Sequence, residues 1–396
     1  LDNRSILHEM NKLLYPRGPS DQQILIDENL QLFLAFSRLS IIDLSDAGRQ
    51  PMVSKSKKSI MMFNGEIYNY KFLKKKYLHD IDLNSNSDSE ILIELIEKIG
   101  VENALKELYG MFSIFFFDLN SKNLYLIRDR AGEKPLYYCL IKKFEKEIII
   151  FGSDVNAIKK HPDFDNNINI LSVNDVLKYG YIKKNKSIYK NIEKITPGSF
   201  IMYDIKNNVL LKKKWFNFKD RNLIKLNNNS LNSKFINFEK IFSEVLTDVY
   251  NADVNVGVMQ SSGIDSTLLT AFYKKKLKKN INTFSIGYYE NEYDESDDAK
   301  KITDYLKVDH KIFKLSIKDQ LSFIIDEIPR AYSEPFADTS QIPSLVLSKS
   351  IKKYVSVALT GDGADELFGG YNRYKYFKFL KYTLSLPVNL RKIIFR

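Results

Sequence analysis

Apolar residues fall in short, strand-sized runs through the first half of the chain and alternate with helical stretches through the second. Residues 29–42 form an apolar and β-branched run ending at Asp43, and residues 60–63 form a short apolar strand that leads into Asn64-Gly65. Residues 110–118 and 123–129 flank Leu119-Asn120-Ser121-Lys122, which predicts a hairpin; residues 136–140 and 147–151 predict a second strand pair. Between them, residues 88–99 place Ile91, Leu92, Leu95, Ile96 and Ile99 at helical spacing. That helix opens on the capping box Ser87-Asp88-Ser89-Glu90 and ends before Gly100. The first half therefore reads as an α+β domain of layered sheets and helices.

The second half has a different rhythm. Strands are expected at 253–259, 281–287, 309–315 and 355–360, and helices at 265–276, 295–306, 318–328 and 341–352. Such a βαβ series builds an α/β doubly wound, mostly parallel sheet, whose ligands sit beyond the carboxyl ends of the strands. Residues 217–235, with Asn227-Asn228-Asn229-Ser230 and few apolar runs, read as a linker. The expected domains are 1–200 and 236–396, joined by a connecting strand and linker over 201–235.

Composition narrows the class. With 396 residues, 44% hydrophobic and 13% aromatic, two packed domains are expected. No apolar run approaches the roughly 18–20 residues of a membrane span, and the first residues, with Asp2, Arg4, His8 and Glu9, carry no signal-peptide core. The net charge of +11 comes from lysines spread along the whole chain, which fits a solvated surface better than a nucleic-acid partner. A single cysteine, Cys139, excludes an internal disulfide framework and fits a reducing compartment such as the cytoplasm. His8, His79, His161 and His310 match no zinc spacing. A start at Leu1 and a stop at Arg396 lead us to expect a fragment at both ends.

The chemistry concentrates in loops that directly follow strands. Ser261-Ser262-Gly263-Ile264-Asp265-Ser266 lies between an apolar strand and an apolar helix, where unpaired N–H groups and the helix dipole favour an anion. No lysine follows the glycine, so it is not a Walker A loop; the plain alternative is an N-cap loop with Asp265 or Ser266 capping. Thr360-Gly361-Asp362-Gly363-Ala364-Asp365-Glu366-Leu367-Phe368-Gly369-Gly370-Tyr371 follows a later strand and suits phosphate approach and Mg²⁺ held by carboxylates, or else a calcium loop or a plain acidic turn. Between these two loops stand Phe284-Ser285-Ile286-Gly287-Tyr288 and Ser333-Glu334-Pro335-Phe336-Ala337-Asp338-Thr339-Ser340. The first half has its own series: Arg17-Gly18-Pro19, Arg38-Leu39-Ser40-Ile41-Ile42-Asp43, Gln50-Pro51-Met52, Asn64-Gly65-Glu66-Ile67-Tyr68-Asn69, Ser87-Asp88-Ser89-Glu90 and the run from Arg128-Asp129-Arg130 to Tyr138. Taken singly, Asn64-Gly65 reads as a type I′ turn and Asp88 as a first-turn acid, and the plain alternative for Arg38 is a surface ion pair.

Taken together, these segments resemble the glutamine-hydrolysing asparagine synthetase family. Residues 1–200 resemble its class II glutamine amidotransferase domain, an N-terminal-nucleophile (αββα) fold; the second half resembles its ATP-pyrophosphatase synthetase domain. The resemblance implies glutamine binding by Arg38, Leu39, Ser40, Ile41, Ile42, Asn64, Gly65, Glu66 and Asp88. Arg38 would clamp the α-carboxylate, Asp88 with Glu66 would receive the α-ammonium, and Asn64 with Gly65 would form the oxyanion hole. It further implies ATP binding by Met259, Ser261, Gly263, Asp265, Ser266, Ile286, Thr360 and Gly361, a catalytic acid position at Asp362, and Mg²⁺ held by Asp265 and Asp365. Ser262 stands where the family's loop has glycine, a strain if that position needs positive φ. The family's nucleophile is an N-terminal cysteine, expected about a dozen residues upstream of Leu1 by family spacing, so the 396 residues alone are expected not to hydrolyse glutamine. Cys139, in a strand, reads as a buried small hydrophobe. The implied substrates are glutamine and aspartate with ATP, without nucleic acid or membrane, in a cytoplasmic enzyme that forms a homodimer. Rival readings keep the chemistry but use a sugar uronic acid or a lactam-forming acceptor, or make the chain a non-catalytic regulatory homologue.

Overall fold

A computed structural model describes residues 2–143, 146–220, 231–289, 294–316 and 323–394. The chain forms two compact units, Leu1–Val254 with Lys318–Leu345, and Asn255–Ile317 with Val346–Arg396.

The first unit is built on a six-stranded antiparallel sheet. Its strands are β3 (Met52–Val53), β4 (Ser59–Ile67), β5 (Gly110–Asp118), β6 (Asn123–Arg128), β10 (Ser199–Asp204) and β11 (Val209–Lys214), in the order β11-β10-β6-β5-β4-β3. A hairpin of β1 (Asp21–Asp27) and β2 (Leu32–Arg38), and a small sheet in which β7 (Tyr137–Lys143) lies between β8 (Lys146–Gly152) and β9 (Glu193–Lys194), complete the strands. Alternation along the large sheet sorts its side chains by face. Met61, Phe63, Phe112, Ile114 and Phe116 pack on Ile91, Leu92, Leu95 and Ile96 of α3 (Asp88–Ile99) and on α2 (Tyr70–Tyr77) and α4 (Val101–Glu107). The opposite face, with Ile60, Met62, Phe115 and Phe117, packs on Leu32, Leu34 and Tyr138 of the two smaller sheets and on Leu136 just before β7. Behind these, Cys139 and Ile150 meet Val155 and Ile158 of α5 (Val155–Ile158) and Met10 of α1 (Asn3–Lys12). The order of layers is helix, sheet, sheet, helix.

The structure corrects several sequence expectations. The run 29–42 is only partly a strand: the chain turns at Gln31, in the left-handed region, where the Asp27 carboxylate accepts from Leu30 N (2.9 Å). The partner strand β1 was hidden by its polar opening, Asp21-Gln22-Gln23. β4 does not stop at Phe63 but continues to Ile67, so Asn64-Gly65 is strand and not a turn. Residues 201–214 complete the first unit's sheet, because β10 pairs with both β6 and β11. Of the expected linker, residues 221–230 lie outside the described residues. Leu231 already opens a helix (α7, Leu231–Val249), whose Phe235, Phe238, Ile241, Phe242, Val245 and Leu246 recur at helical spacing.

The second unit holds a four-stranded parallel sheet of β12 (Val256–Met259), β13 (Asn282–Tyr288), β14 (His310–Leu315) and β15 (Val357–Leu359), in the order β14-β13-β12-β15. α8 (Ile264–Ala271) follows β12 and α9 (Ser296–Leu306) follows β13. The chain steps from β12 outward to β13 and β14, then returns to the other side of β12 as β15. The reversal creates a switch point between β12 and β15, the position at which open α/β sheets bind ligands. Of the helix expected at 318–328, residues 318–322 lie outside the described residues; the rest is helical as Phe323–Glu327 and Ile328–Ala331. The helix Gln341–Ile351 sets Leu347 and Ile351 against Phe284 and Val355 in the core.

Candidate functional site

In the first unit the candidate residues come from the end of β2, from β4 and from the first turn of α3. Arg38 closes β2 and is buried. Its guanidinium donates to Ser45 O (2.8 Å) and Asp43 O (2.5 Å), and a Cβ added at Gly48 would lie 2.2 Å from Nη2, so the 43–48 loop is shaped around this side chain. Burial lowers the Arg38 pKa, opposed by the charges of Asp43, Asp21 and Asp88. Leu39 is exposed, Ser40 N donates to Ser20 Oγ (3.2 Å), and Ile42 packs on the helical face of the core. Ile41 O accepts from Asp253 N (2.9 Å), while Asp253 Oδ2 accepts from Asp43 N (2.8 Å).

On β4, Gly65 lies directly opposite Phe112. A Cβ at Gly65, where φ is +154°, would sit 2.0 Å from Met111 O, inside any allowed contact. Gly65→Ala is therefore expected to destabilise the first unit by about 3 kcal/mol or more, measured by denaturant unfolding, because backbone rather than a flexible side chain must give way. Among the described residues, the half-buried Asn64 carboxamide has no hydrogen-bond partner.

Glu66 and Asp88 carry the electrostatics. Glu66 is buried, and its Oε1 has no hydrogen-bond partner among the described residues. Burial, reinforced by the Asp88 charge and opposed by Lys134, pushes its pKa up to about 7. Asp88 is buried as well, its Oδ2 accepting from Ile67 N (2.9 Å), and burial raises its pKa to about 6 against the pull of that N–H and of Arg38. Asp88 is thus more than a first-turn acid: it links α3 to β4 beside Glu66. The capping box forms by half, since Ser87 Oγ accepts from Glu90 N (3.2 Å) but the Glu90 carboxylate accepts from Asn84 N and Ser85 N. A cationic arginine, two carboxylates whose charged forms are disfavoured by burial, and an orphaned carboxylate oxygen suit a zwitterionic α-amino acid.

Sequence reasoning singled out the run from Arg128 to Tyr138 but gave no role to two of its residues, Lys134 and Asp129. Lys134 approaches Glu66 electrostatically, and burial lowers its pKa. The loop that carries it is wound on fully buried Asp129, which accepts from the backbone N–H groups of Phe112, Ala131, Gly132, Glu133 and Lys134. An acid followed closely by a glycine was the available signal. Cys139 sits in β7, buried, with its pKa pushed up to about 11, an inert hydrophobe as expected.

In the second unit the two Gly-bearing loops leave neighbouring strands. Ser266 Oγ bonds Ser261 Oγ (2.9 Å) and accepts from Ser261 N (3.1 Å), while Gly263 N donates to Ser261 Oγ (3.1 Å). Gly263, without a side-chain cap, opens α8, so neither Asp265 nor Ser266 is its N-cap. Ser262 does not take positive φ, and its hydroxyl donates to Glu295 Oε2 (2.6 Å); the expected strain is absent. Gln260, also missed, is buried beneath the loop and donates to Ser261 O (2.6 Å) while its Oε1 accepts from Thr270 (2.5 Å). A lone polar residue at the end of an apolar strand was the only signal.

The second loop meets the first. A Cβ at Gly361 would lie 2.9 Å from Asp265 Cβ and 3.2 Å from Ser266 N. Thr360 Oγ1 donates to Asp362 Oδ2 (3.0 Å), with both residues exposed. Asp365 is partly buried where a Cβ at Gly370 would overlap its Oδ1 at 1.8 Å. Met259, at the end of β12, and Ile286, within β13, are partly buried and border the Phe284 core. Among the described residues no group of three or more His, Cys, Asp or Glu is poised to hold a metal. Lone carboxylates such as Asp265 and Asp365 fit Mg²⁺, which takes one or two protein carboxylates and completes its shell with phosphates and water; they do not make a calcium cage.

Comparison with known proteins also divides the chain in two, at boundaries that differ from those of the two units. Residues 1–216 match the family described as glutamine amidotransferase domain, and residues 238–392 match asparagine synthase. A Methanocaldococcus jannaschii protein named for glutamine-hydrolysing asparagine synthetase is 31% identical over 98% of this chain and 76% of its own length. Glutamine-hydrolysing asparagine synthetases 1 and 2 of Bacillus subtilis are 29% and 30% identical, over 99% and 93% of this chain and 60% and 50% of their own lengths. The chain belongs to the glutamine-hydrolysing asparagine synthetase family. The chain thus spans between half and about three-quarters of the lengths of these relatives. Both asparagine synthetase loops, at Ser261 and Thr360, fall inside the second match, and the Arg38, Glu66 and Asp88 cluster falls inside the first. Among the described residues no helix is long and apolar enough to cross a membrane.

Proposed function

We propose that this chain performs glutamine-dependent asparagine synthesis, in which ammonia freed from glutamine attacks β-aspartyl-AMP made from aspartate and ATP, giving asparagine, AMP and pyrophosphate. The observation that carries the reading is the meeting of the two loops at one switch point, with Gly361 against Asp265 and Ser266. Ser261, Gly263, Ser266, Thr360 and Gly361 would cradle the phosphates through N–H and hydroxyl donors, and Met259 and Ile286 would border the adenine. Mg²⁺, held by Asp265 and Asp365 with phosphate oxygens, would neutralise charge on the departing pyrophosphate. An aspartate carboxylate oxygen attacks the α-phosphorus and pyrophosphate leaves; ammonia then attacks the acyl carbon and AMP leaves. Asp362 would take the acid position beside this chemistry.

The helix–sheet–sheet–helix layering supports reading the first unit as an N-terminal-nucleophile (αββα) amidotransferase. The inert Cys139 does not supply its nucleophile. Arg38 would hold the glutamine α-carboxylate and Glu66 with Asp88 its α-ammonium, while Asn64 and Gly65 would stabilise the oxyanion. The lone buried thiol suits the cytoplasm, and a homodimer belongs to the same reading.

Glutamine binding should then depend on pH. A carboxylate whose folded pKa is raised is protonated in the folded state where the unfolded chain is ionised, so its ionisation costs stability as pH rises from about 4.5 to about 7. The α-ammonium of glutamine offsets that cost only against the ionised form. KM for glutamine should fall about tenfold between pH 6 and 8, following ionisation of Glu66; Glu66→Gln should flatten the profile, as steady-state assays with ammonia-dependent synthesis as control would show.

The overall reaction is tested by incubating the complete gene product with glutamine, aspartate and Mg-ATP. Asparagine and pyrophosphate should form in equal amounts. If pyrophosphate stays at its no-aspartate level but rises with a uronic acid or a lactam-forming substrate, the acceptor is not aspartate.

A further inference from the structure

One sequence motif is left unused by the site chemistry, and its structural setting is unexpected. Ser333-Glu334-Pro335-Phe336-Ala337-Asp338-Thr339-Ser340 lies inside the asparagine synthase match, yet its contacts place it in the first unit. The Glu334 side chain is 9% exposed and is paired at every edge. Oε2 accepts from Lys194 Nζ (2.7 Å) and from Tyr137 Oη (3.1 Å), and Oε1 accepts from Ile188 N (2.9 Å). A second fastening follows three residues on, where Ala337 N donates to Gly180 O (2.7 Å) at the left-handed end of α6 (Ile170–Tyr179). Asp338 then accepts from Ser340 N (2.8 Å), just before the helix Gln341–Ile351 that supplies Leu347 and Ile351 to the second unit's core.

A carboxylate removed from water is costly unless several donors satisfy it, and three do so here. Such a site is more than a chain needs merely to cross a surface. Its partners are telling. Tyr137 opens β7, three residues after Lys134, whose charge reaches Glu66 in the candidate glutamine site, and Lys194 lies opposite Tyr137 on β9. The anchor thus grips the strand that continues from the loop of that site, while its own chain runs on into the synthetase core.

We propose that Glu334 is a positioning residue that couples the two half-reactions, holding the 333–340 segment on the amidotransferase unit so that ammonia from glutamine is used in synthesis and not lost to solvent. The inference rests on the function proposed above. It does not require Glu334 to touch either substrate.

Three rates measured on the complete gene product test it: glutamate release from glutamine, asparagine synthesis from added ammonia, and asparagine formed per glutamate when glutamine is the donor. Glu334→Ala should leave the first two within about threefold of wild type and lower the third at least fivefold. Glu334→Gln, of equal size and still able to accept one bond, should lower the ratio less, and it decides the question if the alanine variant does not fold. An unchanged ratio with both separate rates intact would overturn the proposal, as would a parallel loss of all three, which marks a purely structural residue. A wild-type protein that makes no asparagine from either donor would instead overturn the underlying function, so the two failures are distinguishable.

Discussion

Asp265→Asn should reduce aspartate-dependent pyrophosphate release about 10³-fold while leaving glutamine hydrolysis within a fewfold of wild type. Asp265 is the second residue of α8, partly exposed, and its Cβ is the nearest atom to the space above Gly361. A carboxylate at a helix start would weaken phosphate binding by direct repulsion, unless a divalent cation stands between them. Asparagine removes the charge and keeps the size, so loss of folding is not expected. A binding measurement separates the cation from the chemistry: wild type should bind ATP more tightly with Mg²⁺ than without, and in Asp265→Asn that difference should shrink to less than about threefold. If the variant binds ATP tighter in both conditions and keeps its pyrophosphate release, Asp265 is only a first-turn acid.

Both loops of that site were legible because strand-to-loop-to-helix transitions leave strong marks: an apolar run, small residues, then a 3.6-residue period. What sequence could not show was their proximity. Gly361 reaches Asp265 because the chain reverses at β12, placing β15 beside a strand about a hundred residues earlier. Asn64-Gly65 illustrates the opposite failure. As a dipeptide it is a turn signal, and only nine-residue pairing of β4 with β5 overrides that local preference. β1 was invisible because Asp21, Gln22 and Gln23 satisfy no alternation. Gln260 and Asp129 organise whole loops through single side chains, and a buried polar residue looks like any other in one sequence. The return of residues 323–345 to the first unit was beyond reach, since Glu334 finds Tyr137, Ile188 and Lys194 from far along the chain. The charge cluster at Glu66 was partly visible: its residues could be named, but the upward pKa shifts follow from burial and, for Glu66, from the neighbouring Asp88 charge.

Arg38→Ala should lower kcat/KM for glutamine about 10³-fold and leave ammonia-dependent asparagine synthesis within about threefold. Of the five guanidinium donors, two serve Asp43 O and Ser45 O, leaving three for a ligand. The side chain is buried, with Asp88 close enough to influence its charge, so a carboxylate bound there would be met in a poorly hydrated setting where bidentate contact is strong. Truncation also strands two backbone carbonyls, which should cost about 1–3 kcal/mol of stability in the first unit. That cost makes the second rate essential: a general collapse would lower synthesis from ammonia as well, whereas loss of a glutamine clamp would not. Arg38→Lys sharpens the test. A lysine retains the charge but cannot hold both carbonyls and a carboxylate in one plane, so it should recover stability without recovering more than a tenth of the glutamine-dependent rate. Full recovery by lysine would show that Arg38 acts by charge alone, and an unchanged KM for glutamine in the alanine variant would remove it from the binding site.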